Sequence, residues 1–282
     1  MMRFFKLIKY DLTYGIFNIK NLIKILILIS LFTVACFEFN GRLLSYGQSF
    51  ETDTNKLGDF FFYIFGGIKE YIPSPNDPFQ IPYLWILNHL LILYFTLHYA
   101  SDDLSGIGQQ MIYRAGGRIK WWVSKCIWNF TSVVSYYIVS FTVIIIFCLI
   151  KGNVFEMSFS SFMRMIMYFG PKDLGYETWD IALEVTLMPF LVTLAMSILQ
   201  MALSLVFKPA FAFIFSSVLL ISSAYYMTPY LIGNFAMAVR SSKVVSNGLN
   251  LTDGIIAAIG MIIIGIIIGV LAIRRYNILS KE

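Results

Sequence analysis

Few side chains in this sequence belong to types that do covalent or metal chemistry. Only two histidines, His89 and His98, occur among the 282 residues, and neither stands in an HExxH motif. No GxSxG nucleophile motif is present. The three cysteines lie in apolar runs without paired spacing, so neither a disulfide framework nor a metal site is predicted. They are Cys36, Cys126 and Cys148. We therefore expect no catalytic residues and no bound metal.

Nucleotide chemistry is missing too, apart from one misleading match. The sequence has no GxxxxGKS/T phosphate loop, so the chain cannot hydrolyse a nucleotide by P-loop chemistry alone. Residues 104–110, LSGIGQQ, look like the LSGGQ signature of ABC ATPases, but that signature works only beside phosphate loops. We interpret it as coincidence. The adjacent Asp102 and Asp103 would point about 100° apart on a helix, which suits capping better than acid/base catalysis. We expect a protein that is not an enzyme and binds no cofactor itself.

Two polar groups are weaker candidates for sites. Asn88, His89 and His98 fall in one apolar run, where polar groups are costly in lipid and tend to face a bundle interior. They predict an intramembrane polar site, although packing or hydrogen bonding is the more common role of such residues. The methionines of residues 163–167 alternate with Arg164 and an isoleucine, and thioethers suit Cu(I). Without a nearby Cys or His, a segment resting on the outer leaflet is favoured.

Composition sets the class of protein that must hold these residues. Hydrophobic residues make up 58% of the chain and charged residues 13%, and the mean hydropathy is +0.74. Soluble domains carry about 25% charged residues, so we predict an all-α polytopic membrane protein forming one transmembrane domain over residues 1–282. The net charge of +5 is then interpreted by position, and no nucleic-acid partner is expected.

Six apolar runs predict six transmembrane helices. Their approximate bounds are 22–37, 81–100, 126–150, 185–207, 209–232 and 254–273. In the last run, Gly260, Gly265 and Gly269 predict close contact between helices.

Residues 1–20 predict an amphipathic helix lying on the membrane surface, with apolar and basic residues on opposite faces. The alternative is a basic flank that only orients the first span. The residues that would meet the membrane surface are Arg3, Phe4, Phe5, Lys6, Ile8 and Lys9.

Residues 101–125 predict a short structured segment between the second and third spans. Acids stand in its first turn, and Leu104, Ile107 and Met111 recur at helical spacing. Gly116–Gly117 predicts a break before the chain re-enters the bilayer. Counted with both termini, the turn at Lys208 and Lys24, which must snorkel from the first span to the headgroups, this side holds 13 Lys/Arg and four acids. The other side holds eight Lys/Arg and 12 acids. Both termini are therefore expected in the cytoplasm.

In this pattern the chain resembles the permease subunit of an ABC-2 type exporter. The resemblance rests on the basic N-terminal helix, the six spans, the 101–125 segment with its Arg-Gly-Gly-Arg close, and the ending Arg274–Arg275-Tyr276. It implies a permease in the plasma membrane that moves a cargo outward. The aromatic and Met-rich external surfaces fit a hydrophobic or amphipathic cargo, such as a peptide, lipid or drug, and equally fit ordinary lipid contact. The resemblance also implies a second copy or homologous permease, and a separate ATPase that carries ATP and Mg.

The resemblance further implies a coupling helix that docks on the ATPase. Its residues would be Asp102, Asp103, Leu104, Ile107, Gln110, Met111, Arg114 and Arg118. Two other classes stay open: a polytopic sensor or assembly protein, and a channel or secondary carrier.

Overall fold

The computed structural model describes residues 2–16, 18–47, 55–75, 78–115, 117–160, 162–163, 182–245 and 247–276. All regular structure within these ranges is helical, which confirms the all-α prediction. Of the methionine motif, Met163 is described and its side chain is buried, whereas Met165 and Met167 lie outside the described residues.

Ten α-helices follow one another in the described residues. They are α1 Met2–Ile16, α2 Ile19–Gly47, α3 Leu57–Phe65, α4 Tyr83–Thr96, α5 Tyr99–Ser105, α6 Gly108–Ala115, α7 Arg118–Lys151, α8 Met188–Leu203, α9 Pro209–Tyr225 and α10 Leu251–Arg275. A π-helical turn, Leu183–Leu187, leads directly into α8, and two 3₁₀ turns, Ile232–Ala236 and Ala238–Arg240, stand between α9 and α10.

In the described part of the chain, four helical stretches are long and apolar enough to cross a membrane, the mark of a membrane-associated protein. They are Asn21–Leu43, Arg118–Lys151, Leu183–Leu203 and Leu251–Arg275, and each overlaps a predicted span. The predicted spans 81–100 and 209–232 fall instead on shorter helices, since α4 has 14 residues and α9 has 17.

Several helix ends differ from the predicted ones because polar side chains extend the helices past their apolar runs. α2 continues beyond Phe37 to Gly47, where Glu38 and Arg42 stand one turn apart and form an ion pair of 2.7 Å. α7 begins at Arg118, so Lys125 is helical and does not lie in a loop. Gly117, with a φ of 136°, separates α6 from α7 as predicted.

Helices α8 and α10 form the most extensive contact in the bundle, and α7 packs against α1, α2, α8 and α10. Two glycines of α10 allow this approach. A Cβ on Gly265 would lie 3.0 Å from the Ile198 side chain of α8, and one on Gly269 would lie 2.0 Å from the Trp122 ring of α7. Gly260 has no neighbour of this kind, so the predicted close contact holds at two of the three glycines.

Helix α3 lies inside the protein, between α2 and α4 in the chain. Its phenylalanines Phe60, Phe62 and Phe65 are buried among α2, α4 and α7. The Asp59 carboxylate accepts the backbone N–H of Lys56 at 3.0 Å and that of Ser160 at 2.9 Å, which fixes the start of α3. Burial raises the pKa of Asp59, and these hydrogen bonds oppose that shift.

Candidate functional site

A cluster of buried charges joins α1, α5 and α7, and we call it the Lys125 cluster. Lys125 is 0% exposed, and its Nζ lies 2.6 Å from Oδ1 of Asp11 and 2.8 Å from Oδ2 of Asp103. The same ammonium group lies over two aromatic rings, 4.8 Å from the centre of Tyr99 and 5.3 Å from that of Trp121.

Hydroxyl and indole groups complete the cluster around the two carboxylates. Ser124 donates a hydrogen bond of 2.5 Å and Tyr99 one of 2.9 Å to Asp11, while Trp121 donates one of 2.8 Å to Asp103. A charge removed from water is stabilised only if its partners and hydrogen bonds are complete. The cluster therefore joins three helices as a unit, and removing one charged member alone would leave the others buried without their partner.

The cluster depends on a face of α1 that the sequence did not reveal. Leu7 and Asp11, one turn apart, are both buried against the protein. Phe5, predicted on the apolar face, and Lys6, predicted on the basic face, are both exposed. Helix α1 therefore has an apolar face, a basic face and a third face formed by Leu7 and Asp11. This third face packs against α7. Burial raises the pKa of Tyr10 on α1, and the nearby charge of Asp103 raises it further.

The remaining predicted membrane-surface residues divide between these environments. Phe4 and Ile8 are half-buried and Lys9 is exposed, and the Arg3 side chain lies outside the described residues.

The predicted coupling segment folds as two short helices with a turn at Gly106–Ile107. This turn interrupts the expected apolar stripe: Leu104 is buried, Ile107 is 55% exposed, and Met111 is half-buried. The prediction of one continuous face was wrong, because helical spacing does not continue through a turn.

The polar residues of the segment point in different directions. Asp102 and Gln110 are exposed, whereas Asp103 turns inward to Lys125. Arg118 donates to the carbonyl of Arg274, which ties the start of α7 to the end of α10. The Arg114 side chain lies outside the described residues. What remains outward is a small patch, which we call the α6 face: Ile107, Gln110 and Tyr113.

The predicted intramembrane polar residues do not form one site. Asn88 and His89 are buried in α4, where the Tyr136 hydroxyl donates to the Asn88 carbonyl at 2.9 Å and Nδ1 of His89 lies 2.8 Å from the carbonyl of Trp85. His98 is exposed in the turn after α4, with Nδ1 4.0 Å from Asp102. The three residues therefore have separate partners.

A different buried polar network was missed. Thr96 of α4 and Asn129 of α7 both contact the Ser197 hydroxyl of α8, at 3.0 and 2.8 Å, and the Gln200 amide donates to the carbonyl of Leu93 at 2.8 Å. In the sequence, the sign of this network was a polar residue inside each of the apolar runs that form it. Among the described residues, no group of three His, Cys, Asp or Glu side chains could hold a metal ion.

A second buried cation, Arg240, lies close to the start of α10. We call its surroundings the Arg240 cluster. Arg240 is 0% exposed and donates to the carbonyls of Ser223 at 2.5 Å, Ala224 at 2.7 Å and Ile68 at 2.8 Å, and to the Asn234 side chain. It thereby caps the carboxyl end of α9, where unsatisfied carbonyls favour a cation. Burial lowers the pKa of Arg240 to about 10, opposed by the charge of Glu70.

The two clusters lie at opposite ends of the bundle. The Leu249 N–H, just before α10, donates to the Arg240 carbonyl at 2.8 Å, whereas the last turn of α10 meets Arg118 at the start of α7. A 25-residue helix spans about 37 Å, enough to cross a bilayer core of about 30 Å. Arg240 itself is buried inside the protein.

Comparison with known proteins gives a family. The family described as Protein of unknown function (DUF2705) matches residues 58–279, which run from the second residue of α3 to beyond the end of α10, and the chain belongs to it. No curated protein matches the sequence.

Proposed function

We propose that this DUF2705 protein is the permease subunit of an ABC-2 type exporter, working in the plasma membrane with a separate ATPase. It would move a hydrophobic or amphipathic cargo outward and pair with a second permease, either a copy of itself or a homologue. The ATPase would bind ATP and Mg, and this chain would do no covalent chemistry.

The observation that carries the proposal is the Lys125 cluster, which fastens α1 and the α5–α6 segment to the long helix α7. A push on α5 would reach Asp103 and then Lys125 through contacts of 2.8 Å or less. Because α7 is 34 residues long and contacts α2, α8 and α10, its displacement would shift the packing of the bundle. Such a two-state shift, biased by the nucleotide on a partner, is the step that an ATP-driven permease requires.

The α6 face gives the ATPase a place to dock. Ile107 is 55% exposed and Tyr113 is 68% exposed, and both belong to a segment that also presents polar groups such as Gln110. Exposed apolar side chains next to polar ones are typical of protein–protein contacts. The proposal assigns this contact to the ATPase, because the face lies on elements fastened to the Lys125 cluster.

The proposed topology has six spans and both termini in the cytoplasm. The four long apolar helices supply four spans. The shorter α4 and α9 would supply the second and fifth, helped by neighbouring residues of the predicted spans 81–100 and 209–232. The excess of Lys and Arg on the α1, α5 and α6 side supports the cytoplasmic assignment of that side. Labelling single cysteines from outside intact cells should miss position 105 and reach position 161.

The substitution Ile107→Asp tests the docking step. It places a carboxylate in the middle of the α6 face without touching the Lys125 cluster, so the permease should still reach the membrane. We expect the tagged protein to lose a co-purifying, vanadate-sensitive ATPase activity by tenfold or more, because burying one apolar side chain contributes about 1.5–3 kcal/mol. Ile119→Asp is the matched control, since Ile119 is also an exposed isoleucine (42%), precedes the predicted span 126–150 and lies outside the α6 face.

The result also separates the other classes. A sensor, an assembly protein, a channel or a secondary carrier would purify without nucleotide-stimulated hydrolysis. Full ATPase association in Ile107→Asp, or none in the wild type, would refute the proposed coupling.

A further inference from the structure

A cavity of roughly 100 Å³ lies between α2, α4 and α7, next to the end of α1. We call it the α2 cavity. Its inner wall is apolar, formed by side chains such as Leu28, Ile92 and Val139. Its other end is polar and carries Asn21, Lys24 and Trp128, which together give the cavity an amphipathic lining.

The polar end presents hydrogen-bond donors and a positive charge. The Lys24 ammonium donates to the carbonyl of Phe95 at 2.9 Å and lies 5.3 Å from the centre of the Phe95 ring. Both contacts hold the ammonium group at the cavity. Trp128, 3% exposed, has a buried indole N–H with no acceptor among the described residues. A ligand that suits these groups carries negatively charged oxygen atoms.

The cavity is reached from the apolar surface of α2. Ile25 belongs to its lining and is 39% exposed, and its neighbours Leu22, Ile23 and Leu26 are between 51% and 58% exposed. In a membrane such a surface meets acyl chains. An occupant that enters from this side is therefore a component of the bilayer, and the volume suits a section of one acyl chain.

We propose that the α2 cavity binds an anionic phospholipid, with one acyl chain against the apolar wall and the phosphate beside Lys24. This goes beyond the proposed export function and needs no ATPase. The site also borders the Lys125 cluster, because the Trp128 ring stacks on Tyr99 at 3.6 Å and Tyr99 donates to Asp11. A bound lipid therefore braces α2 against α7, next to the place where the cluster fastens α1 to α7.

The first test measures lipid preference. Full-length protein is delipidated in detergent, mixed with phosphatidylglycerol or phosphatidylcholine of identical chains, and examined by native mass spectrometry. We expect the first bound phosphatidylglycerol to be favoured by about fivefold, the factor that one lysine beside an anionic headgroup contributes. Lys24→Gln should remove the preference, and Lys120→Gln, which changes an exposed lysine of α7, should keep it. Equal losses in both variants would overturn the site.

The second test separates the acyl chain from the phosphate. Ser135 lines the cavity and is half-buried, so Ser135→Phe should fill it and remove the first bound lipid of either kind at unchanged helical content. Glycerol 3-phosphate, which has the phosphate and no chain, should not displace the lipid. Displacement by glycerol 3-phosphate, or undiminished lipid binding in Ser135→Phe, would refute a lipid site in this cavity.

Discussion

Lys125 and Arg240 are both fully buried in the described part of the chain, yet their positive charges are balanced in different ways. Lys125 faces two carboxylates supplied by helices α1 and α5. Arg240 faces main-chain carbonyls and one side-chain amide. One cation is held by side chains from other elements, and the other by the dipoles of the backbone around it.

The difference indicates which end of the bundle can change. Contacts among Asp11, Asp103 and Lys125 join elements far apart in the sequence, so these elements can separate while each helix stays intact. The carbonyls around Arg240 belong to the end of α9 and the irregular segment at Ile68, so Arg240 cannot leave without opening those segments. The Lys125 end is therefore suited to transmit motion, and the Arg240 end to anchor the opposite side.

The largest effect is expected from Lys125→Ala. It leaves the carboxylates of Asp11 and Asp103 in the protein without their cation, and the free energy of unfolding should fall by about 3–5 kcal/mol. Lys120→Ala, at an exposed position of the same helix, should change it by less than about 0.5 kcal/mol. Denaturant titration in detergent measures both variants. Similar small losses would show that the Lys125 cluster does not hold the helices together.

The next effect is a rescue that only the Lys125 cluster permits. In the combined variant Asp11→Asn, Asp103→Asn and Lys125→Met, no charge is left unpaired, and neutral groups of similar size fill the site. A buried ionic triad replaced in this way is often no less stable than the original. We expect the combined variant to recover about 3 kcal/mol relative to Lys125→Met alone, at the upper end of the coupling seen between contacting residues.

The rescue also separates stability from function. If the cluster transmits motion, the combined variant should fold and still lose transport coupled to hydrolysis. A combined variant as unstable as Lys125→Met would show that the carboxylates are not the reason for the loss.

A smaller loss is expected from Arg240→Leu. Here the charge itself disappears, so no buried ion is left unpaired, and the cost comes from carbonyls that lose their donor. We expect the free energy of unfolding to fall by about 1–3 kcal/mol. Adding Asn234→Ala should not recover stability, because the other acceptors are backbone groups. Arg275→Leu, at an exposed position, is the control, and a full rescue by Asn234→Ala would remove the contrast between the two clusters.

The sequence reveals the helices better than the clusters for a physical reason. A lipid-crossing helix needs only a long apolar run, which composition shows directly, and four such runs recur as long helices. The Asp11–Lys125 contact joins residues 114 positions apart, and nothing local in either helix marks it. A basic N-terminal segment with one acid, and a lysine counted as a loop charge, each have a simpler local explanation.

The α5–α6 segment shows the same limit at short range. Its acids, apolar residues and Gly117 break predict a structured element, and the structure has helices there. The turn at Gly106–Ile107 changes which residues share a face: before it, Asp103 points inward to Lys125 and Trp121, and after it Ile107 is exposed. Tertiary contacts of this kind decide orientation after local spacing has suggested the helix.

The smallest effect is expected at an exposed ion pair, which tests whether burial or charge alone separates the two clusters from the rest of the protein. Arg42 and Glu38 form a pair of 2.7 Å, but their side chains are 55% and 30% exposed. When Arg42 is removed, water solvates Glu38, and the Tyr83 hydroxyl still donates to it. Arg42→Ala should therefore cost no more than about 0.5 kcal/mol, and 1 M salt should weaken even that, since the Debye length falls to about 3 Å. The loss in Lys125→Ala should persist in the same salt, because water and ions do not reach the cluster. If Arg42→Ala lowers the free energy of unfolding as much as Arg240→Leu does, the number of contacts and not burial determines the loss. The contrast between buried and exposed charges would then be wrong.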